Sequence, residues 1–280
     1  GLGFVGAAMA VAVAQARTPE GGRVYQVIGV DRKTEEGEAR VDALNRGVFP
    51  FPTVDQKLLA ALGEAHVAGN LTATTNESVY QSADVVVVDI PLDISFLDEE
   101  PQLRMSGLEH AIRVVGKQVP AGALVLIETT VPPGTCENVV VPVLQDELRR
   151  RNLDQHAIHL AFSFERVMPG NEYLDSIVNY WRAYAGHTAV AADVCESFLT
   201  NIIDVERFPL TRLSSMTAAE TTKVMENTYR AVNIALIHEW TQYAEAVGVD
   251  LYEVIEAIRV RPTHSNIRFP GLGVGGYCLT

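Results

Sequence analysis

The sequence Gly1-Leu2-Gly3-Phe4-Val5-Gly6 opens the chain and decides its fold. An alanine-rich helical stretch follows over residues 7–16, and a β-branched run over residues 24–30 ends at Asp31. Glycines at this spacing allow a tight turn, a close ligand and close helix–strand packing, while the helix N-terminus attracts anions. An acid after the next strand accepts hydrogen bonds from ribose hydroxyls. We therefore predict a dinucleotide site on a Rossmann-type sheet.

The cofactor follows from the same segment. A carboxylate at Asp31 repels the 2′-phosphate of NADP, so the sequence favours NAD, although the neighbouring Arg32 points the other way. The predicted cofactor-binding residues are Gly1, Gly3, Phe4, Val5, Gly6, Asp31, Arg32 and Thr130. The strand that precedes such a turn is not in the sequence. We expect an apolar strand of roughly five to eight residues upstream of Gly1.

Strand and helix patterns alternate over the first 205 residues. Parallel strands joined by helical crossovers produce this alternation, with helices covering both faces of the sheet. We predict an α/β domain over residues 1–205 with a doubly wound parallel sheet. Its strands are expected at residues 24–30, 71–74, 84–90, 123–128 and 157–163, and its helices at residues 7–16, 54–68, 108–119 and 136–149.

The pattern changes after residue 205. Residues 216–247 contain no proline or glycine, and their apolar residues recur at three- and four-residue spacing. This predicts one long helix that ends near Gly248, followed by a shorter helix capped by Asp250. We predict a mainly helical domain over residues 206–280 and a homodimer built on helix 216–247, since a helix of this length needs cover.

Composition excludes several classes of protein. The 280 residues carry a formal net charge of −13, which argues against binding to nucleic acid or an anionic membrane. No apolar run approaches the roughly 20 residues that span a bilayer. Three cysteines are too few and too scattered for a disulfide framework, so reduced thiols and a cytoplasmic location fit best. No metal site is predicted, and Cys136 and Cys195 are expected to be structural.

The last residues of the chain are the most informative about chemistry. Four glycines within residues 271–276 form a loop whose backbone can wrap a ligand, and Cys278 follows them. A thiol presented in this way is a candidate nucleophile rather than a buried core cysteine.

Further candidates lie on a helix and on two strand ends. Lys223 and Asn227 are four residues apart, so they share one face of the long helix and could together stabilise an oxyanion. Glu165 and Thr130 follow predicted strands at the edge where α/β sheets bind ligands. Thr135 is expected to cap the helix that follows it.

Taken together, these segments resemble the UDP-glucose/GDP-mannose dehydrogenase family over essentially the whole sequence. The resemblance is carried by five motifs in the family's order: Gly1–Gly6, Thr129-Thr130-Val-Pro-Pro-Gly-Thr135, Glu165-Arg-Val-Met-Pro-Gly170, Lys223 with Asn227, and Gly275-Gly-Tyr-Cys278. Members oxidise the C6 alcohol of a nucleotide sugar to a uronic acid with two NAD+ and one water. The chain is then expected to be a fragment without the first strand and the family's C-terminal domain.

The resemblance implies a role for each matching residue. Cys278 would capture the aldehyde intermediate as a thiohemiacetal that is oxidised to a thioester. Lys223 and Asn227 would steady the oxyanion, Glu165 would act as acid or base, and Thr130 would orient water. The implied substrate-binding residues are Glu165, Arg166, Val167, Lys223, Asn227, Gly275 and Gly276. UDP-linked sugars are favoured, while Phe164 departs from the proline usual in the family.

Two other functions stay open at this point. A β-hydroxyacid dehydrogenase has a similar glycine turn and a lysine and asparagine four residues apart, but it transfers one hydride and needs no cysteine. A non-catalytic NAD-binding module could act through its dimerising helix alone.

Overall fold

The computed structural model describes residues 1–92, 94–97, 100–275 and 279, with only the backbone described at residues 94–97 and 100–102. The chain divides into two compact units, Gly1–Glu220 and Thr221–Thr280.

The strands of the first unit are β1 Val27–Val30, β2 Leu71–Thr74, β3 Val85–Val88, β4 Ile94–Leu97, β5 Glu100–Leu103, β6 Leu124–Ile127, β7 His159–Phe162, β8 Ala183–Gly186 and β9 Thr211–Arg212. They form three ladders. The first is the parallel pair β1 and β2, and the second has the order β3-β6-β7-β8-β9. Its first three strands are parallel, β8 is antiparallel to β7, and β9 is parallel to β8. The third is an antiparallel hairpin of β4 and β5.

Helices follow the strands in the order that crossovers require. They are α1 Phe4–Ala14, α2 Glu35–Asn45, α3 Gln56–Ala68, α4 Ser106–Gln118, α5 Val141–Arg150, α6 Asp175–Val178 and α7 Ala189–Thr200. A π-helical turn, Cys136–Val140, leads into α5, and the 3-10 turn Glu77–Ser82 precedes β3. Helix α8, Met216–Val247, begins at the end of this unit.

Both faces of the main sheet are covered. Alternate residues of β6 belong to two different hydrophobic cores: Leu124 and Leu126 lie in the core that includes α1 and α7, whereas Val125 and Ile127 lie in the core that includes α4 and α5. All four side chains are buried. This arrangement confirms the prediction of a doubly wound α/β fold with a mainly parallel sheet.

The glycine turn lies between two strand ends. The Leu2 N–H donates to Asp31 just after β1, at 3.2 Å. A Cβ on Gly1 would stand 2.4 Å from the carbonyl oxygen of Asp89, just after β3. Within the described residues β1 pairs with β2 and β3 pairs with β6. The additional strand that the sequence predicts upstream of Gly1 stays a prediction.

The second unit is helical. It contains most of α8, then α9 Leu251–Arg259 and the 3-10 turn Pro262–His264. A small core of buried residues on α8 and α9 holds them together: Ile237, Ala244, Leu251 and Ile255. Asp250 accepts the Tyr252 N–H and caps α9 as predicted. The long helix has the predicted bounds, which confirms that part of the fold.

The structure corrects the sequence prediction at one strand. The run predicted as a strand over residues 24–30 pairs only from Val27 onward. Its first residues serve another purpose, because the Val24 N–H donates to Ala16 and the Tyr25 ring packs edge-on against Phe198.

Candidate functional site

The glycine turn presents the first turn of α1. The first N–H groups of a helix have no partner within it, and α1 carries no acidic residue in its first turn. A Cβ on Gly6 would stand 1.9 Å from the carbonyl oxygen of Gly1, so only glycine fits there. Gly3, Phe4 and Val5 complete a cradle of backbone groups, and the prediction that it holds a dinucleotide pyrophosphate stays a prediction.

Asp31 lies beside this cradle. Its carboxylate accepts the Leu2 N–H at 3.2 Å, the Arg32 N–H at 2.8 Å and the Arg40 guanidinium at 3.2 Å. The side chain of Asp31 is 8% exposed, whereas Arg32 is exposed. The structure therefore brings the predicted ribose ligand to the predicted anion site, and together they fit NAD.

The strand ends on the other side of the turn carry further polar groups. The Thr129 hydroxyl is buried and accepts the Ile90 N–H at 2.9 Å, which joins the ends of β3 and β6. Thr130, the next residue, is exposed at this edge. The Asp89 side chain packs against the turn, since its Cβ is 3.1 Å from the position of a Cβ on Gly6.

Glu165 follows β7 at the same edge. It is half-buried, and its carboxylate accepts the Val167 N–H. Burial raises the pKa of Tyr173, and the negative charge of Glu165 raises it further. The Tyr173 hydroxyl donates to the carbonyl of Phe4 in the glycine turn at 2.6 Å. Glu165 thus lies near the cradle of Gly1–Gly6.

The residues that flank Glu165 have structural contacts. Phe164 is fully buried and packs against Phe162, with ring centroids 6.4 Å apart. The Arg166 guanidinium lies 4.9 Å from the Phe164 ring centroid and donates to the Trp181 carbonyl at 2.5 Å. The phenylalanine that departs from the family pattern is therefore part of the core.

A buried ion pair at this edge has no counterpart in the sequence prediction. Arg182, 4% exposed just before β8, pairs with Glu128, 1% exposed just after β6. The guanidinium also donates to the carbonyl and hydroxyl of Ser163, each at 3.2 Å. Burial lowers the pKa of Arg182 to about 10, although the charge of Asp89 opposes this. The only sequence signal is a charged residue next to the apolar run of β8.

Asp89 is a further titratable group at this edge. Burial raises the pKa of Asp89 to about 6; the charge of Arg182 lowers it and that of Glu165 raises it. Two carboxylates, on Asp89 and Glu128, therefore lie near the Arg182 guanidinium at the carboxyl edge of the sheet, and Glu165 lies near Asp89.

A second buried carboxylate corrects the prediction for Thr135. Its hydroxyl makes no capping bond and donates instead to the Pro132 carbonyl at 2.7 Å. Glu220, fully buried at the start of α8, accepts the N–H groups of Gly134 at 2.5 Å and Cys136 at 2.7 Å. A carboxylate from a distant helix takes the place of the predicted cap.

The second unit holds the other predicted residues. Lys223 is buried, and Asn227 is half-buried one turn later on α8. The same helix face continues to Arg230 and His238. These two residues line a cavity of about 260 Å³ together with Ile234, Ile237, Arg268, Phe269, Gly271 and Gly273. Two guanidinium groups in one cavity suit an anionic ligand, and the sequence prediction missed this.

The predicted nucleophile is not among the described residues. Cys278 and Gly276 lie outside the described residues, whereas Gly275 is described and exposed. The other cysteines are buried, and burial raises the pKa of both thiols, that of Cys195 to about 12. Neutral thiols are poor nucleophiles, so the surroundings of Cys136 and Cys195 agree with structural roles.

The described part of the chain lacks two further kinds of feature. No helix there is long and apolar enough to cross a membrane. Nor do the described residues contain a group of three or more His, Cys, Asp or Glu that could hold a metal ion.

Comparison with known families accounts for nearly all of the sequence. Residues 1–194 match the NAD binding domain of the UDP-glucose/GDP-mannose dehydrogenase family, and residues 217–280 match its central domain. The chain belongs to this family. The family resemblance is thereby confirmed, and the NAD-binding domain agrees with the predicted cofactor. The division at residue 205 stays a prediction.

Relatives within the family are dehydrogenases of several nucleotide sugars. The chain is 33% identical to the UDP-N-acetyl-D-mannosamine dehydrogenase of Pyrococcus horikoshii and 32% identical to the UDP-N-acetyl-D-glucosamine 6-dehydrogenase of Pseudomonas aeruginosa. Each match covers the whole chain but only 60% and 59% of the relative. The chain thus spans about three-fifths of the length of these relatives.

Solved structures of family members give the same result. A UDP-D-ManNAc dehydrogenase of Pyrococcus horikoshii superposes with a TM-score of 0.82 at 30% identity, over all of this chain and 60% of that one. A GDP-mannose dehydrogenase from Pseudomonas aeruginosa, a ternary complex, superposes with a TM-score of 0.78 at 25% identity, again over all of this chain and 60% of that one.

Proposed function

We propose that the full-length protein is an NAD-dependent nucleotide-sugar 6-dehydrogenase that acts on a UDP-N-acetylhexosamine. The observation that carries the proposal is the cradle of Gly1–Gly6 with Asp31 on one side and Glu165 and Thr130 at the same sheet edge. Family membership and the names of the relatives support both the reaction and the class of sugar.

We infer a cytoplasmic location from the free thiols of Cys136 and Cys195.

The cofactor would be held by the first unit. The N–H groups at the start of α1 would bind the pyrophosphate, and Asp31 would accept the ribose hydroxyls. When NAD is bound, its nicotinamide supplies the hydride acceptor for each oxidation. Thr130 is exposed and directly follows Thr129, whose hydroxyl joins the ends of β3 and β6. We assign to the Thr130 hydroxyl the role of orienting the water molecule.

The substrate would be held by the second unit through its diphosphate. Arg230 and Arg268 line one cavity, and each guanidinium can form paired hydrogen bonds to a phosphate. A chain of net charge −13 repels an anionic ligand as a whole, and the two guanidinium groups offset this repulsion at the cavity. Gly271 and Gly273, two glycines of the run that leads toward Cys278 in the sequence, line the same cavity.

The proposed reaction has two oxidation steps and one hydrolysis. In the first step the C6 alcohol loses a hydride and a proton, and the proton passes to a base, for which Lys223 is the candidate. The Cys278 thiol then adds to the aldehyde, and the hemithioacetal loses a second hydride and proton to become a thioester. Water, with Glu165 as acid or base, cleaves the thioester to the carboxylate and restores the thiol. Lys223 and Asn227 would stabilise the oxyanion.

We also propose that two copies of the chain pair along α8. Six apolar side chains recur at three-, four- and seven-residue spacing on the side of α8 opposite to Lys223, and all are 47–69% exposed: Met225, Tyr229, Val232, Leu236, Tyr243 and Val247. A stripe of this kind is typical of a helix–helix interface.

A substrate screen tests the proposal. The full-length protein is mixed with NAD and, in turn, UDP-N-acetylglucosamine, UDP-N-acetylmannosamine, UDP-glucose and GDP-mannose, and NADH formation is followed. We expect a UDP-N-acetylhexosamine to give the highest kcat/KM. A protein that binds NADH but produces none with any sugar nucleotide would refute the proposed activity. The matched pair Cys278→Ser and Cys195→Ala separates the thioester route from a single hydride transfer, since only the first variant should lose acid formation.

A further inference from the structure

The segment that carries Glu165 is fastened to the glycine turn by one side chain. Tyr173 is 1% exposed, and its hydroxyl donates to the Phe4 carbonyl at 2.6 Å. Phe4 is the first residue of α1 and belongs to the glycine turn. Burial raises the pKa of Tyr173 and the charge of Glu165 raises it further, so these two side chains lie close together. One phenol therefore connects the candidate acid–base residue with the turn.

Aromatic packing makes the same connection by a second route. The Tyr173 ring meets Phe49 edge-on with centroids 5.8 Å apart, and Phe49 meets Phe51 at 6.1 Å. The Phe51 ring stacks on Phe4 at 4.1 Å. Four rings and one hydroxyl bond thus form a closed circuit that begins and ends at Phe4. Aromatic pairs at these distances add stability beyond the burial of their surface, so the circuit resists a shift of Tyr173 relative to the turn.

Hydrogen bonds within the segment carry this restraint back toward Glu165. The Ser176 hydroxyl donates to the Tyr173 carbonyl at 2.6 Å and accepts the Met168 N–H at 3.0 Å. The Glu165 carboxylate accepts the Val167 N–H. The two ends of the segment are therefore joined to each other, and a displacement at Tyr173 is felt at Glu165.

A second anchor holds the segment against α3. The Leu174 N–H donates to one carboxylate oxygen of Asp55 at 2.8 Å. The other oxygen caps α3 by accepting the N–H groups of Lys57 at 2.8 Å and Leu58 at 3.2 Å. Asp55 is 1% exposed. This anchor fixes the segment on the body of the first unit, whereas the Tyr173 hydroxyl reaches the glycine turn.

We propose that Tyr173 is a positioning residue, whose hydroxyl bond to Phe4 holds Glu165 in register with a dinucleotide bound at the glycine turn. An acid or base must lie within hydrogen-bond reach of its target, and a misplacement of about 1 Å can cost about 100-fold in rate. The inference rests on the proposed function, in which Glu165 serves the hydrolysis of the thioester. Without the hydroxyl, the segment keeps its rings and its anchor at Asp55 but loses its bond to the turn.

Pre-steady-state kinetics of full-length Tyr173→Phe test the inference. The enzyme is mixed with saturating NAD and a UDP-N-acetylhexosamine, and NADH is followed from the first turnover onward. We expect a burst of two NADH per active site and then a steady-state rate about 10-fold below that of the unaltered protein, because both oxidations precede the step that uses Glu165. The quenched variant should carry the sugar on Cys278 as a thioester, detected by mass spectrometry. The KM for the sugar nucleotide should change by less than about 3-fold.

Tyr184→Phe is the matched control. Tyr184 is likewise 1% exposed, but its hydroxyl donates to Glu196 on α7 rather than to the glycine turn. Each variant loses one hydrogen bond of a buried phenol, so both should unfold at a slightly lower temperature. Tyr184→Phe should nevertheless keep the steady-state rate and accumulate no thioester. The burst also counts the folded active sites, so a variant that merely folds poorly lowers the burst and the steady-state rate in proportion.

The outcomes separate this inference from the proposed function. A steady-state rate of Tyr173→Phe equal to that of the unaltered protein overturns the inference, and so does a proportional loss of burst and rate. Accumulation of the thioester in Tyr184→Phe would overturn it as well. In all three cases NADH formation by the unaltered protein leaves the proposed function standing. An unaltered protein that forms no NADH from any sugar nucleotide overturns both together.

Discussion

Breaking the buried pair of Arg182 and Glu128 should unfold the first unit at much lower temperature. Both side chains are at least 95% buried, so Arg182→Met leaves an uncompensated carboxylate in the core. Removing one partner of a buried pair costs about 3–5 kcal/mol. For a unit of this size, each kcal/mol lowers the unfolding midpoint by about 2–4 °C, so we expect a loss of roughly 6–20 °C.

The double variant Arg182→Met, Glu128→Met gives the sharper result. Replacing both charges with apolar groups of similar volume is often neutral, so the double variant should recover at least half of the loss. Part of the loss remains because the Ser163 carbonyl has also lost a donor. The Ser163 hydroxyl keeps its bond to the Ala183 carbonyl at 3.0 Å.

Thermal and urea unfolding, followed by circular dichroism, measure these effects. Arg113→Met is the matched control: Arg113 is 36% exposed, and its partner Glu147 keeps an ion pair with Arg150. That variant should cost no more than about 1 kcal/mol. Single variants at the buried pair that cost less than the control, or a double variant as unstable as the sum of the singles, would refute the reasoning.

The remaining predictions concern the cradle, a titration and the helix stripe. Gly6→Ala places a Cβ 1.9 Å from a backbone carbonyl and should weaken NADH binding at least about 10-fold by fluorescence, whereas Gly63→Ala, with nothing within 4 Å, should not. The pKa of Asp89 is raised from 3.8 to about 6 on folding, so its contribution to stability is present below pH 3.8 and is lost as pH rises through 6. The free energy of unfolding of Asp89→Asn should therefore rise relative to that of the unaltered protein between pH 4 and 7. If urea unfolding gives the same difference between the two proteins at every pH in this range, the assignment is wrong. Leu236→Asp should yield monomers by light scattering, and Val67→Asp, on a valine of α3 that is 88% exposed, should leave the mass unchanged.

Sequence reasoning succeeded where a local pattern settles the structure. Helix α8 has the predicted bounds because its interior contains no proline or glycine and its apolar residues follow the helical period. The glycine turn and Asp31 meet because consecutive strand ends of a parallel sheet lie at one edge.

Long-range contacts explain the failures. The cap predicted at Thr135 is supplied by Glu220, 86 positions from Gly134. The partners of Arg182 lie at Ser163, 19 positions earlier, and at Glu128 on another strand end. No local pattern links such residues, and only the folded sheet brings them together. The basic cavity at Arg230 and Arg268 was missed for the same reason, because the two residues lie on a helix and a distant loop.

The number of NADH molecules formed per sugar consumed tests the central claim most directly. The full-length protein is given a limiting amount of a UDP-N-acetylhexosamine with excess NAD, and NADH and the sugar products are quantified at completion. Oxidation of an alcohol through a Cys278 thioester predicts two NADH per sugar and a carboxylate product, with no carboxylate formed by Cys278→Ser. One NADH per sugar with an aldehyde or ketone product would contradict the account.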